Sequence, residues 1–422
     1  MHDHTQRLAL HNEVHARPPE PVVAPMAIAH IVMWIDREAR EACRLHLVQL
    51  LRDHHLATPE ENSTHLRVDF GSWRLRWELH TEFVTWTFMR DIDPAASNAE
   101  LESALKAVPQ SWLSQMPGEC LSRIHLWALP SNSSNTGWVG RYLHDETLVA
   151  STVADGQGKV HTDFQLHPDG FSRILLLTGS LPPRQLGRLI QQLLEIETYR
   201  MAALLGLPAA RAAGTVLADA ERELAELARA IRSAKREDEA GLLDRLTRLA
   251  GEVEGQYAAT HSRFSASRAY FELVDRRIRD IRETRLNGMQ TIAEFMERRL
   301  SPARSTCDWA VRRQTALSER VSRMSNLLRT RVEIEQQQSS QELLSTMNKR
   351  QGLQLQLQST VEGLSVAAIT YYIIGLVHHV VEGLSHHGWP WGVEITTAAT
   401  VPLVALLVWL FIRRLHHGIS TQ

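Results

Sequence analysis

Paired cysteines, an imbalance of charge and the common nucleotide-binding signatures are all missing from this 422-residue sequence. Its cysteines are Cys43, Cys120 and Cys307, none in C-x-x-C spacing, which argues against a disulfide framework or a zinc finger and fits a reducing compartment. No base stands at a recognisable spacing from them, so Cys43 and Cys120 are expected as small buried apolar groups rather than nucleophiles. With 46 Lys and Arg against 48 Asp and Glu the net charge is −2, and whole-chain attraction to nucleic acid is excluded. No G-x-x-x-x-G-K-[ST], G-x-G-x-x-G or G-x-S-x-G stands in a strand–turn–helix context, so nucleotide hydrolysis, dinucleotide chemistry and hydrolase-type catalysis lack support. No enzyme is expected. Proline nearly vanishes between Pro208 and Pro390, where Pro302 alone interrupts, and almost all long apolar runs are confined to the last sixty residues.

Those runs are collected at the end of the chain. Leu364–Val381 and Ile395–Ile412 carry no Asp, Glu, Lys or Arg, and each approaches the ~20 residues needed to cross a bilayer. Two transmembrane helices are predicted. Lys349 and Arg350 precede the first and Arg413 and Arg414 follow the second, while Glu382 to Gly392 has neither residue. The positive-inside rule then places both termini in the cytoplasm, and the absence of a secretory signal leaves the first 350 residues facing the cytosol of a bacterial inner membrane. Trp389 and Trp391 fall in the short outer loop, at interfacial depth.

The proline-poor stretch is rich in Ala, Leu, Glu, Arg and Gln and predicts very long helices. Ser301-Pro302 reads as an N-cap and first helical residue, and a helix from there to Val381 would be on the order of 120 Å long. Leu317, Val321, Met324 and Leu328 repeat as a coiled-coil seam that dissolves into Glu335-Gln336-Gln337-Gln338, a polar run facing either water or the axis of an assembly. Upstream, an acid-leaning stretch from Val216 to Glu254 precedes one carrying Arg263, Arg268, Arg276, Arg277, Arg279, Arg282, Arg285, Arg298 and Arg299, which predicts an antiparallel hairpin with compensating faces. No aromatic stacking set accompanies these arginines, so nucleic acid is not the expected partner.

Residues 1–207 mix β-branched and aromatic runs with turn signals. In Phe70–Phe88, Arg74, Arg76, Glu78, His80 and Glu82 fall on one side and Leu75, Trp77, Leu79 and Phe83 on the other, as in a strand or a bent pair. Three further strands, at 147–154, 158–166 and 171–177, are separated by Asp155-Gly156 and Pro168-Asp169-Gly170. Pro182-Pro183 then opens a helix closed by Gly206 and Pro208. The fold class expected is an α+β cytosolic domain with a small, mostly antiparallel sheet, a long helical coiled-coil stalk and two C-terminal transmembrane helices. Its parts are a cytosolic domain (1–207), a helical hairpin (208–300), a stalk (301–360), the first span (361–381), an outer loop (382–392), the second span (393–412) and a cytosolic tail (413–422).

HNEVHARPPEP (His11 to Pro21), RLRWELHTEFVTWTF, LLEIETYRMAALLGLP and STVEGLSVAAITYY, in that order, together resemble a bacterial family of uncharacterised membrane-anchored proteins, a domain of unknown function. That resemblance spans the chain and implies no reaction. The plan of a cytosolic domain, a stalk running into the first of two spans, a short outer loop and a basic tail is similar to the CorA class of magnesium channels, which implies a pentamer and divalent-cation transport. Those channels end the first span in Tyr-Gly-Met-Asn, where this chain has Gly375-Leu376-Val377-His378-His379.

Three sets of residues carry candidate chemistry. Glu362, Ser365, Ile369, Tyr372, Leu376 and His379 recur in steps of three and four, so Glu362, Ser365, Tyr372 and His379 form a polar stripe that either lines a pore or makes interhelical hydrogen bonds. His378, His379, Glu382, His386 and His387 crowd the outer end, as a transition-metal site or an interfacial cluster that senses pH. Arg17, Arg74 and Arg76 would hold an anion between the N-terminal motif and the charged strand face, if that face is not simply a structural ladder. In the motif itself, His11-x-Glu13-x-His15 lacks the H-E-x-x-H order of a zinc protease, though His11 and His15 would share a helical face able to bind a cation. No cofactor is implied beyond a divalent metal ion. The expected function is a homo-oligomeric divalent cation channel or transporter in the bilayer, with a non-conducting scaffold or sensor binding an anionic ligand or protein as the alternative.

Overall fold

The computed structural model describes residues 3–7, 10–11, 18–60, 63–92, 101–131, 137–385 and 392–419. It is α+β, and its sheet is larger than the sequence suggests, with nine strands in the order β2-β3-β4-β1-β5-β8-β7-β6-β9. These are β1 (Met26–Trp34), β2 (His65–Asp69), β3 (Arg74–Leu79), β4 (Phe83–Asp91), β5 (Glu119–Pro130), β6 (Val149–Val153), β7 (Gly158–Thr162), β8 (Ser172–Thr178) and β9 (Thr284–Arg285). All neighbours pair antiparallel except β5 and β8. The two central strands, β1 and β5, were not singled out by the sequence because both are buried on both faces and show no alternation. The alternating Phe70–Phe88 segment resolves into β3, the turn at His80–Glu82 and most of β4.

Each sheet face has its own core. One carries Trp73, Leu75, Trp77, Trp86 and Phe88 against Cys43, Leu47, Leu50 and Leu51 of helix α1 (Arg37–Asp53), whose first turn is capped by Asp36 accepting from the Ala39 amide at 2.7 Å. The other carries Met26, Ile28, Ile124, Leu126 and Leu176 against Leu186, Leu189, Ile190 and Leu193 of helix α2 (Pro183–Leu204). Cys43 is buried as expected. Cys120 is exposed instead, near the start of β5, where its sulfur accepts from Nε of Arg123 at 3.0 Å.

Helices α3 (Gly206–Ser233) and α4 (Glu239–Asp280) break inside the acid-leaning stretch, which is therefore divided between them, and rather than forming a separate partner helix, Arg263 to Arg279 follow on α4 itself. Its arginines meet carboxylates: Arg263 with Glu82, Arg268 with Asp308, and Arg277 with Glu195 and Asp280. At the start of α3, a Cβ on Gly206 would stand 2.6 Å from Oγ of Ser267 and 3.2 Å from the Cys307 sulfur, so only glycine admits α4 and the following helix this closely.

That helix, α5 (Ile292–Ser385), starts ten residues before Pro302 rather than at it. Thr291 and Glu294 form a reciprocal cap, amide to side chain in both directions (3.2 and 3.0 Å), and the Glu283 carboxylate accepts from the amides of Ile292 and Ala293 at 2.9 and 2.7 Å. Four satisfied donors at Thr291 outweigh the one backbone bond Pro302 forfeits. The expected coiled-coil seam is also partly used at home: Leu317 and Val321 are buried, and Arg313 grips Glu221 of α3 with Nε and Nη2 at 3.0 and 2.6 Å.

Residues 1–325 and 326–422 are two compact units. The second holds the rest of α5 and helix α6 (Val393–Ile419).

Candidate functional site

Two places gather polar side chains from the sequence-predicted sets, one in each unit. In the first unit, β1, β3 and β4 and helix α2 enclose a cleft of about 40 Å³, room for a few waters or a small polar group. Register builds it: Arg76 of β3 stands opposite Thr87 of β4, Thr87 opposite His30 of β1, and Glu78 opposite Thr85. Because side chains alternate across a strand, all five face α2.

Arg76, 7 % exposed, donates to Oε1 of Glu78 at 2.7 Å and to Oε1 of Gln191 at 3.2 Å. Gln191 passes the contact on to Glu195 at 2.8 Å, and Glu195 accepts from Arg277 of α4. A single polar chain therefore runs from the sheet through α2 to α4. His30 bridges Oγ1 of Thr87 at 2.8 Å and Oγ1 of Thr198 at 3.1 Å. Thr198 spends its own proton on the Leu194 carbonyl, so the His30 proton is assigned to Nε2. Burial pushes the imidazole down to about 3, with Arg76 and His80 adding to the shift and Glu78 opposing it. The Thr85 hydroxyl, 3 % exposed and lining the cleft, is buried with no hydrogen-bond partner among the described residues.

Of the expected anion set, Arg76 lines this cleft and Arg74 stands beside it, donating to Glu20 at 2.7 Å. Both guanidinium groups already hold carboxylates. Arg17, with Glu13 and His15, lies outside the described residues, and His11 is exposed. His30, Thr85, Gln191 and Glu195 were not singled out by sequence; a Gln-x-x-x-Glu step on α2 was the one readable signal for the last two.

In the second unit, α5 and α6 carry the apolar runs. Among the described residues, three helical stretches are long and apolar enough to cross a membrane: 183–233, 292–384 and 393–411. The first supplies Leu186, Leu189, Leu193 and Ala210 to the core of its unit, whereas the other two expose their apolar residues, among them Leu364, Tyr371, Leu403 and Phe411. The α5 face carrying Val366, Thr370, Ile373, Val377 and Val381 is the covered one, and His378 meets Thr397 of α6 at 3.3 Å.

The expected stripe adjoins this covered face. Glu362 and Ser365 are half-buried, while Tyr372 and His379 are exposed, at 76 % for Tyr372. Of the outer cluster, His379 and Glu382 approach at 3.6 Å, His378 turns toward α6, and His386 and His387 lie outside the described residues. Sequence reasoning also passed over a cluster of His144, Asp163 and His167 in the first unit, of which Asp163-x-x-x-His167 was the legible part.

A family model described as "Protein of unknown function (DUF3422)" matches residues 2–419. No curated protein and no solved structure matches the chain.

Proposed function

We propose, for a chain that belongs to the DUF3422 family of proteins of unknown function, a homo-oligomeric bacterial inner-membrane protein of CorA-like plan that passes divalent cations across the bilayer. The observation that carries this reading is the exposed Tyr372–His379 stripe on α5, polar groups in an apolar helix that its own hairpin partner α6 does not cover. Polar groups at that depth are costly against lipid and gain partners where copies of the helix surround water or ions. The order of elements supports the same plan: a sheet domain, a helical hairpin, one long helix into the first span and a second span close behind. In this arrangement Glu362, Ser365, Tyr372 and His379 line the path and the outer histidines collect the ion, with both termini in the cytoplasm.

Purified protein reconstituted in liposomes tests it by flux of Mg, Zn, Ni and Co, with oligomer mass measured in parallel. A ring of about five subunits whose flux falls in His379→Ala supports transport. A dimer without flux rejects it.

The enclosed cleft favours a second reading, a non-conducting anchored sensor. Its support is the buried Thr85 hydroxyl opposite Glu78 in the cleft that Arg76 also lines, which has no partner among the described residues and which a small bound ligand would satisfy. A thermal-shift screen of small anions against the full chain tests this: a hit lost in Thr85→Val places the ligand in the cleft, and the absence of any such hit rejects the reading.

A further inference from the structure

The turn before β6 and the loop between β7 and β8 bring three side chains to one point. Asp163, 1 % exposed, accepts through Oδ2 from Nδ1 of His144 and from Nε2 of His167, both at 2.9 Å, and from the His144 amide at 3.1 Å. Its Oδ1 accepts from the Gln165 amide at 3.1 Å. The two imidazoles stack with centroids 4.7 Å apart. His167 is buried, whereas the His144 side chain is half exposed. Burial raises the Asp163 carboxyl, but the donors around it more than offset this and hold it below the usual carboxylate range. The interior of the unit thus keeps a carboxylate anion faced by two imidazoles.

We propose that His144, Asp163 and His167 form a binding site for a divalent transition metal of the zinc class, with Nδ1, Oδ2 and Nε2 as the three ligand atoms. The donor set decides the class: two imidazole nitrogens and one carboxylate suit Zn²⁺ and its neighbours, whereas Mg²⁺ demands oxygen ligands. The spacing fits. Ligands about 2.0–2.1 Å from a tetrahedral zinc lie about 3.3 Å apart, a few tenths beyond the 2.9 Å that separates each nitrogen from Oδ2. When a metal enters, each neutral imidazole shifts its proton from the nitrogen facing Asp163 to the one turned away, Nε2 of His144 and Nδ1 of His167, so two hydrogen bonds to Oδ2 are exchanged for metal bonds with no net proton released.

A surrounding layer holds the ligands in place. The Gln165 side chain donates to Thr147 at 3.0 Å, and the His167 amide donates to the Phe171 carbonyl at 3.0 Å, tying both ligand-bearing turns together. The Arg173 guanidinium is directed elsewhere, to Asp169 and the Tyr142 carbonyl. The half-exposed His144 edge gives the ion a way in and leaves a fourth position for water.

The test is zinc titration of the full chain in detergent after chelator stripping, with metal counted per chain and affinity measured by calorimetry. His144→Ala should bind one zinc fewer, or bind it at least about tenfold more weakly, and Asp163→Asn should behave the same way. His144→Ala keeps its amide bond to Asp163 but gives up its side-chain bond, so the metal-free variant should fold with a lowered melting temperature, and the rise in melting temperature that zinc gives the parent should be missing. His378→Ala/His379→Ala should retain this zinc, which separates the site from the histidines of α5. Equal stoichiometry and affinity in the parent and His144→Ala would overturn the assignment and leave the cluster as a hydrogen-bonded clasp. Ion flux is a separate readout and can fail without touching this one.

Discussion

His30 and His125 are both buried imidazoles, pushed down by desolvation to about 3 and about 4 from an ordinary 6.5. Each folded value is depressed, so the stability tied to the neutral ring is fully present above pH 6.5 and is lost as pH falls toward the folded value. While either ring is protonated only in the unfolded chain, the loss runs at about 1.4 kcal/mol per pH unit. Denaturant titrations between pH 6.5 and 4 should show about twice this slope from the two rings together, and His30→Gln, which can still bond Thr87 and Thr198, should roughly halve it. An unchanged slope would rule out His30 as its source. Glu82 is the other residue on which much converges: it accepts both arms of Arg263 at 2.9 and 3.1 Å and the Tyr270 hydroxyl at 2.8 Å, in the turn between β3 and β4. Burial and this carboxylate raise the Tyr270 phenol above its ordinary value. Glu82→Gln should cost about 1–3 kcal/mol of unfolding free energy, because it weakens three charge-assisted bonds between the sheet and α4.

Helix α2 is crossed by the chain segment at Glu20–Val22, and Gly187 is what permits the crossing. A Cβ there would stand 1.7 Å from the Glu20 carbonyl oxygen, while the Val22 amide donates to the Pro183 carbonyl at 3.0 Å. Gly187→Ala should lift this segment, separate Glu20 from Arg74 and open the cleft, at a cost of about 1–3 kcal/mol seen as a lower melting temperature. The same helix shows what the sequence could convey. Its start at Pro182-Pro183 and its apolar stripe were readable, because proline at the first turn and a 3.6-residue period are local signals. Where α5 begins was misjudged, although Thr291-x-x-Glu294 is a readable capping pair; Ser301-Pro302 offered a competing local signal, and only the Glu283 carboxylate, brought back by the turn through β9, decides between them. Strands β1 and β5 hid for the opposite reason, since burial on both faces erases alternation. In the cleft, Arg76 and Glu78 were legible as one strand face, but His30, Thr85 and Gln191 join them only through register and helix placement, which no spacing encodes. The Leu317–Val321 seam was visible as a period, while its partner was not; a heptad does not say whether the facing helix belongs to the same chain.

At the scale of the whole molecule, the exposed apolar side chains concentrate in the second unit, from Leu343 to Phe411. Contiguous apolar surface on that scale is unusual for a chain surrounded by water. The full chain should therefore stay with membranes through alkaline carbonate washing, while a fragment ending at residue 330 should remain in the supernatant. Release of the full chain by carbonate would remove the basis for both spans. The sheet adds a consequence in time. Its far edge, β6, is finished by β9, with Thr152 meeting Thr284 across 132 residues of chain. Synthesis must therefore reach the β9 segment before the sheet can close, and the first apolar run, from Leu364, is made only afterwards. At about 5–20 residues per second, translation grants the sheet a lead of roughly 4–16 s, so a folded sheet can already stand beside the ribosome when the membrane segment is born.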